Sequence, residues 1–506
     1  MRHSPENLLQ LLQRLLKQSN RVKQIHSILI TNNHLPFNPS TSSKLKWMST
    51  LLYNALIRAY LSLGQPHTTL VLFTYMLAHQ TPPNNLTFPP LVKAASSLPF
   101  LAKPLHTHVI KRGVYDDPYI LTSFVCMYSQ LGDLLYARKV FDEVSERCVV
   151  SCNAMLDAYG KNGDMGSAIF LFGRMLERDI YSWTSIISGY GRNGCFGEAI
   201  QFFRMMIVHE DVRQGRVRPN EATFVSVLAS CANLHGRGGL CQGKQIHAYI
   251  VKNESELSVF MGTALIALYG KLGCLGYAME VFNKMVLKEV CAWNALISTL
   301  ALNGEEKEAL DMFEKMKVAG LRPNGVTFVA VLASCARSKL VELGLELFQS
   351  MSHVFGVVPR MEHYGCVVDL LGRAGLLAEA NEFIKKMPLE PDGSVLGALL
   401  GACKVHGAIE MGNEVARRLL HMQPRHCGQY VLLWGIYAGA ERWDHATALR
   451  KTMIDAGIKK IPAFKDELAM RKLKKLSIEA PFEDSVFNSK FVAEVYAEAF
   501  EKQGEK

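Results

Sequence analysis

The sequence predicts an all-α protein built as a solenoid of stacked helical hairpins. The observation that carries this prediction is the stretch 290–324, which has the pattern of two short amphipathic helices joined by a turn. Trp293, Leu296 and Leu300 recur at three- and four-residue steps and therefore share one helical face. Asn303-Gly304 ends this helix, because Asn and Gly tolerate the backbone angles of a helix terminus. Neither helix can bury its apolar face alone, so a neighbouring unit must cover it.

Copies of this hairpin supply the second observation. A spacing of Gly, five residues to Ala, and four more to Phe is shared by five segments: Gly132-Ala137-Phe141, Gly163-Ala168-Phe172, Gly194-Ala199-Phe203, Gly273-Ala278-Phe282 and Gly304-Ala309-Phe313. A weaker copy is Gly375-Ala380. Ala and Phe four residues apart lie on one helix face, where the small residue admits a partner helix and the ring fills the remaining space. Self-similarity at this period indicates a solenoid.

Composition limits the function classes. The chain has 506 residues, 49% of them hydrophobic, so it is not a disordered protein. No apolar run approaches 18 residues, which argues against a membrane span. The formal net charge of +10 suits a polyanionic partner. The 12 cysteines, such as Cys231 and Cys335, include no C-x-x-C pair and are interpreted as small buried hydrophobes in a reducing compartment.

The N-terminal segment 1–49 allows two interpretations. Its run Leu8 to Leu16 is basic and amphipathic, which is typical of a mitochondrial presequence. However, Lys23-Gln24-Ile25-His26 matches Lys244-Gln245-Ile246-His247 inside the array. We therefore expect a partial repeat whose helix begins near residue 21, with little room for a cleavable leader.

From residue 50 the repeats can be laid end to end. The predicted units, which differ in length, are 50–84, 85–117, 118–148, 149–179, 180–220, 221–258, 259–289, 290–324, 325–360 and 361–392. An insertion from Val208 to Gly215 lengthens one of them and is expected to form an exposed loop. The segment 393–460 continues the helical pattern, and 461–506 is a divergent charged tail.

Particular motifs carry a family resemblance. They are Tyr53-Asn54-Ala55-Leu56-Ile57, Trp293-Asn294-Ala295-Leu296-Ile297, Ala137-Arg138-Lys139-Val140-Phe141-Asp142, Asp369-Leu370-Leu371-Gly372-Arg373-Ala374-Gly375 and Gly397-Ala398-Leu399-Leu400-Gly401-Ala402-Cys403. With the alternation of unit lengths, they resemble plant pentatricopeptide repeat proteins of the PLS class, E subgroup. The resemblance covers about residues 21 to 460. It implies a right-handed superhelical solenoid of helix-turn-helix repeats, with 393–460 similar to the family's E motif.

The motifs of common enzymes are absent from the sequence. A zinc deaminase needs H-x-E followed by C-x-x-C, because these side chains hold the metal and move the proton. Neither motif occurs, nor does H-E-x-x-H or the P-loop pattern. The loose pairs His106 with His108 and Cys148 with Cys152 are interpreted as packing and surface residues. We therefore expect no catalytic activity, cofactor or metal.

The resemblance implies binding of single-stranded RNA, one base per unit, through the fifth and the last residue of each unit. The pairs that match are Asn54 with Asn84, Asn153 with Asp179, Thr184 with Asn220, and Asn294 with Asn324. The implied bases are pyrimidine, uracil, adenine and pyrimidine in that order. Thr122 and Thr263 stand at fifth positions opposite Cys148 and Glu289, which depart from the pattern, and the long units offer the apolar Pro89, Val225 and Val329.

A structural explanation of the same residues stays open. Asn84, Asp179 and Asn324 precede predicted helices and would serve as N-caps or turn residues. Asn54 and Asn294 would then be ordinary solvated helix residues.

Two further positions of the repeat unit, the thirteenth and the second, carry recurring residue types. The thirteenth residue is basic in four units, as Lys161, Arg192, Lys271 and Arg373. These cations would contact phosphates or simply complement the helix dipole. The second residue is often apolar, as Leu51, Val150, Tyr181 and Phe260, and would either sandwich bases or belong to the core.

The expected function is sequence-specific RNA binding in an organelle, the mitochondrion or alternatively the chloroplast, with no membrane association. By resemblance, the protein would recognise sites of C-to-U editing, and its E motif would help recruit a deaminase-bearing partner protein. Splicing or transcript stabilisation is the alternative. A protein-interaction scaffold like the tetratricopeptide arrays is the alternative of another class, although the W-x-x-L-G-x-x-Y pattern of those arrays is absent.

Overall fold

The computed structural model describes residues 4–16, 18–35, 43–113, 117–143, 147–209, 217–234, 237–254, 256–425 and 427–458. These residues form 26 α-helices and, within the same ranges, no strand. The chain divides into two compact units, Met1–Val227 and Leu228–Lys506. The all-α repeat fold is confirmed. The handedness of the solenoid stays a prediction, and the tail 461–506 lies outside the described residues.

The helices alternate as the first and second members of hairpins. Those of the first compact unit are Pro5–Arg14, Ser19–Thr31, Ser43–Ser62, Pro66–Ala78, Phe88–Ala95, Pro99–Lys111, Pro118–Gln130, Leu134–Asp142, Val149–Asn162, Met165–Arg174, Ile180–Arg192 and Phe196–Val208. Glu221–Asn233 contains the division between the units. Those of the second are Arg237–Asn253, Val259–Lys271, Leu275–Lys284, Val290–Leu302, Glu306–Val318, Gly325–Ser338, Val341–His353, Met361–Arg373, Leu377–Lys385, Gly393–His406, Ile409–Met422, Cys427–Gly439 and Trp443–Asp455.

The repeated glycine, alanine and phenylalanine have the roles that their spacing predicts. Gly304 has a φ of +87° and follows the first helix of its hairpin, where a left-handed residue ends the helix. Ala309 is fully buried and Phe313 is 1% exposed. The Phe313 ring then meets Phe328 of the next first helix edge to face at 6.0 Å, so each hairpin covers the apolar face of its neighbour.

First helices pack on the preceding and following first helices as well as on their own partners. At Gly160 and Gly189 the approach is so close that a Cβ atom on Gly160 would lie 3.0 Å from the Gly189 Cα atom. Asn193 strengthens the same contact, since its Nδ2 donates to the Gly160 carbonyl at 2.8 Å. Asn303 repeats this bond to the Gly270 carbonyl at 2.8 Å. The first helices therefore form a continuous layer within each compact unit.

The N-terminal residues contain repeat-like structure. Lys23-Gln24-Ile25-His26 lies within the helix Ser19–Thr31, in keeping with a repeat helix near residue 21. His26 Nδ1 lies 2.9 Å from the Tyr60 hydroxyl, and His247 Nδ1 lies 2.9 Å from that of Tyr269. The matching tetrapeptides thus place a histidine in the same cross-repeat contact.

The cysteines are free thiols. Cys231 and Cys335 are fully buried, as expected, whereas Cys126 and Cys241 are exposed, so the burial interpretation is wrong for these two. Cys148 is exposed and Cys152 is buried, in keeping with their interpretation as surface and packing residues. Among the described helices, none is long and apolar enough to cross a membrane. Within the described ranges, no three His, Cys, Asp or Glu side chains form a group that could hold a metal ion.

Candidate functional site

Asn294, Asn324 and Thr327 form a hydrogen-bonded cluster between two successive first helices. Asn294 Nδ2 donates to Asn324 Oδ1 at 3.1 Å. The Thr327 hydroxyl donates to Asn294 Oδ1 at 2.6 Å and also lies 3.2 Å from Asn324 Oδ1. The Thr327 amide donates to Asn324 Oδ1 at 3.1 Å, which makes Asn324 the N-cap of Gly325–Ser338. We call this arrangement the polar triad: the fifth and last residues of one unit and the third residue of the next.

A second polar triad has the same bonds between its side chains, although its last residue, Asn84, is not the N-cap of the next helix, Phe88–Ala95. Asn54 Nδ2 donates to Asn84 Oδ1 at 3.0 Å, and the Thr87 hydroxyl donates to Asn54 Oδ1 at 2.8 Å. Asn54 is 3% exposed and Asn294 is 6% exposed. The interpretation of these two fifth residues as solvated helix residues is therefore wrong.

The third triad carries an acid as its last residue. Asn153 Nδ2 donates to Asp179 Oδ1 at 2.9 Å, and the Ser182 hydroxyl donates to Asn153 Oδ1 at 2.7 Å. The Ser182 amide donates to Asp179 Oδ1 at 2.9 Å, so this carboxylate is also the N-cap of Ile180–Arg192. N-capping and the pairing with the fifth residue thus occur together and do not exclude one another.

Thr184 and Asn220 are connected through a third side chain. Thr184 Oγ1 lies 2.7 Å from Thr223 Oγ1. The Thr223 hydroxyl and Asn220 Oδ1 are 2.9 Å apart. Thr223 therefore takes the place of Thr327. The Thr184 hydroxyl also donates to the Ile180 carbonyl at 2.7 Å, and its shorter side chain contacts Asn220 only through the bridging hydroxyl.

The remaining predicted fifth residues form no triad. The Thr122 hydroxyl donates to the Pro118 carbonyl at 2.6 Å, and the Thr263 hydroxyl donates to the Val259 carbonyl at 2.7 Å. Thr263 Oγ1 also lies 3.7 Å from the Cys291 sulfur. The last residues Cys148 and Glu289 are not bonded to them in the described structure.

The bonding within each triad decides which polar group remains for a ligand. Asn84 and Asn324 use Oδ1 inside the triad, and within the described part of the chain their Nδ2 groups have no protein partner. Asp179 uses Oδ1, and its Oδ2 likewise has no partner among the described residues. Asn324 is exposed, and Asn84 and Asp179 are half-buried. Two units thus present an N–H donor and one presents a carboxylate acceptor.

The cations at the thirteenth position are mostly engaged with protein groups. Lys161 Nζ lies 2.6 Å and Arg192 Nη1 lies 3.0 Å from the carboxylate of Asp157. Burial would raise the pKa of Asp157, but hydrogen bonds from these two cations hold the pKa below its usual value. Arg373 Nε lies 2.7 Å from Asp369 Oδ2. Lys271 Nζ instead donates to the neutral Asn233 Oδ1 at 2.5 Å.

Comparison with known proteins identifies the family. The pentatricopeptide repeat model matches residues 52–80, 150–180, 181–210, 263–290, 326–353 and 362–390. A second repeat-family model matches 288–337, and the E motif model matches 406–465. A putative pentatricopeptide repeat-containing protein of Arabidopsis thaliana is 50% identical over 91% of this chain and 97% of its own length. The chain belongs to the pentatricopeptide repeat family.

A further relative and a solved structure are also similar to this pentatricopeptide repeat protein. A putative chloroplastic member from Arabidopsis thaliana is 44% identical over 81% of this chain and 74% of its own length. Among solved structures, the crystal structure of the pentatricopeptide repeat protein PPR10 from maize aligns with 99% of this chain and 88% of that chain. Its sequence identity is 16% and the TM-score is 0.35. The E-motif match and the repeats fit the predicted PLS-type plant protein.

The second residues of the repeats are exposed in this pentatricopeptide repeat protein. Val150, Tyr181 and Phe260 are 56%, 64% and 59% exposed, so their interpretation as core residues is wrong. Leu51 is half-buried. Tyr119, which the sequence analysis missed although it is the second residue of its unit, is 74% exposed. The second position lies three residues before the fifth residue of the unit, and therefore on the same side of the first helix.

One further cation was also missed. Arg337 is the thirteenth residue of the unit 325–360, and its guanidinium donates to the Ala301 carbonyl. The signal for it was present, since Lys271 and Arg373 stand at the same position of other units.

Proposed function

We propose that this pentatricopeptide repeat protein binds single-stranded RNA and reads bases with its polar triads. The observation that carries the proposal is the polar group of the last residue, which the triads at Asn84, Asp179 and Asn324 leave without a partner in the described part of the chain. A polar group held at the same place in several units of a stacked array suits the recognition of one base per unit.

The chemistry of this group supports the implied base preferences. An amide N–H, as offered by Asn84 and Asn324, suits the acceptors that both pyrimidines carry on their Watson–Crick edge. A carboxylate oxygen, as offered by Asp179, suits the N3–H donor of uracil, which cytosine lacks. These groups are compatible with the pyrimidine, uracil and pyrimidine that the family resemblance implies at these units. Adenine at the unit of Thr184 and Asn220 follows from the family resemblance.

The groups around the triads support a nucleic-acid strand as the ligand. Exposed Tyr181 and Phe260 offer surfaces on which bases stack. Among the residues that the structure describes, Lys271 is bonded only to a neutral amide, and it keeps its full charge for a phosphate. Lys161 and Arg192 share the carboxylate of Asp157, and Arg373 pairs with Asp369, so these three contribute a weaker positive potential. Thr122 and Thr263, which form no triad, have a weaker role in our proposal.

The finer proposal is recognition of C-to-U editing sites in an organelle. Its support is the E motif match at 406–465 together with the absence of H-x-E and C-x-x-C from the sequence, so a partner protein must supply the deaminase. The basic N-terminal run favours the mitochondrion, and the chloroplastic relative favours the chloroplast as the alternative. Splicing or transcript stabilisation would use the same RNA binding.

Sequencing organellar RNA from a loss-of-function line tests the finer proposal. Loss of conversion at one cytidine, with transcript levels and introns unchanged, is the expected result. An unspliced intron or a vanished transcript with all cytidines still converted would contradict the editing role and leave the RNA-binding proposal standing.

A further inference from the structure

The positive charge of this protein is concentrated in its first 115 residues. That segment contains 12 Lys and Arg residues and a single acid, Glu6. The other 391 residues contain 44 Lys and Arg residues and 45 acids. The net charge of +10 therefore comes from the N-terminal quarter of the chain.

Two of these N-terminal cations stand at equivalent places on adjacent first helices. Arg58 is on Ser43–Ser62, one helical turn beyond Asn54 of the polar triad. Lys93 is on the adjacent first helix Phe88–Ala95, one turn beyond Pro89. Both are the ninth residue of their units and both are exposed.

In two later units the ninth position has the opposite charge. There Asp157 and Asp369 stand at the ninth position and pair with cations of the thirteenth position. The side chains of Arg58 and Lys93 have no ion pair or hydrogen-bond partner among the residues that the structure describes. Their charges thus remain available on the side of the helices that carries the triad, whereas Asp157 and Asp369 neutralise the cations with which they pair.

We propose that Arg58 and Lys93 form a phosphate-binding pair that anchors the RNA backbone at the N-terminal units. The inference rests on the proposed function and adds where the sequence-independent affinity originates. The fifth residue of the unit 85–117 is Pro89, whose side chain cannot hydrogen-bond a base. Lys93 one turn further on holds the strand at that unit through its phosphate instead of its base. The excess positive charge of the segment around the pair attracts the same strand at longer range.

The test compares two double variants of the full chain in titrations with a single-stranded RNA oligonucleotide over a range of salt. Arg58→Gln with Lys93→Gln should flatten the slope of log K against log salt by about 1.4, since each phosphate contact on a single strand contributes about 0.7. The control, Lys111→Gln with Arg112→Gln, removes the same charge from the same quarter at the end of a second helix, and should change the slope by less than half as much. Arg58→Lys should keep the slope. Circular dichroism verifies that each variant is folded.

The outcomes separate the two proposals. If the wild-type protein binds no RNA, the proposed function is wrong. If it binds RNA and the Arg58 and Lys93 variant keeps the wild-type slope, or if both double variants lower the slope equally, the anchor is wrong and RNA binding stands. Binding of the wild type, but not of this variant, to anionic phosphatidylglycerol vesicles, with an unchanged RNA slope, would instead assign the pair to a lipid surface.

Discussion

Asn294 Nδ2 donates a hydrogen bond to Asn324 Oδ1 across 30 residues of sequence, at 3.1 Å. This bond joins the first helix of one repeat to the N-cap of the next. It also determines the orientation of the Asn324 amide, because Oδ1 is used inside the protein and Nδ2 is left outward. A bond that stabilises the stacking of two repeats therefore also sets what a ligand meets there.

The bridging hydroxyl of Thr327 is expected to control base selectivity without touching the base. Thr327→Val keeps the shape but leaves the buried Asn294 Oδ1 without its donor, which costs about 1–3 kcal/mol. Without this bond the Asn294 side-chain amide can rotate. Discrimination between bases at the one nucleotide opposite this unit should therefore fall. Thr327→Ser keeps the hydroxyl and should keep the discrimination. Competition binding with RNA oligonucleotides that differ at this nucleotide measures the discrimination. Equal discrimination by the Val and Ser variants would show that the hydroxyl is only structural.

Lys271 and Arg373 are expected to contribute differently to RNA binding, although both are the thirteenth residue of their unit. Lys271→Gln should flatten the salt dependence of RNA binding by about 0.7 in slope. Arg373→Gln should have a smaller effect, because Asp369 already neutralises that guanidinium at 2.7 Å. Filter binding over a salt series checks both. Equal slopes for the two variants would contradict the view that an acid at the ninth position decides how much the thirteenth residue contributes to RNA binding.

How much could be foreseen from sequence differs between the fold and the site. The buried Ala309 and Phe313 follow from a local spacing, and the structure confirms them. Thr327 was missed as a site residue, because a hydroxyl at the third helical position is explained by N-capping alone. The pairing of Arg192 with Asp157 spans 35 residues and depends on how neighbouring first helices are aligned, which local patterns do not specify.

The buried His247 predicts a loss of stability in acid. Burial lowers its pKa from 6.5 to about 4, with a smaller contribution from Lys284. Below pH 6.5 the unfolded chain takes up the proton first, so stability should fall as the pH drops from about 6.5 to about 4, by up to about 3 kcal/mol.

Urea unfolding at several pH values measures this loss. The matched variant is His247→Gln, which cannot titrate and should flatten the pH dependence over that interval. Wild-type stability that stays constant down to pH 4, or an equal acid response of the Gln variant, would contradict the assignment to His247.

The purified protein is expected to convert no cytidine to uridine by itself. The reason is that the sequence lacks both halves of the zinc deaminase signature. The measurement is sequencing of an RNA oligonucleotide after incubation with zinc-loaded protein. Conversion that survives exhaustive purification would overturn the view that a partner supplies the deaminase.

The most direct test of base reading exchanges Asn294 for Thr. Thr184 already stands at the equivalent place and lies 2.7 Å from the bridging hydroxyl of Thr223, so Asn294→Thr can keep the same contact with Thr327. The family pairing implies that the base opposite this unit changes from pyrimidine to adenine.

The measurement is competition binding with oligonucleotides that differ at that single nucleotide. A lost base contact costs about 1–3 kcal/mol, so relative affinity there should change about tenfold or more, with all other positions unaltered. If the variant is folded and its preference at every nucleotide equals that of the wild type, the triads only hold repeats together and the base-reading proposal is wrong.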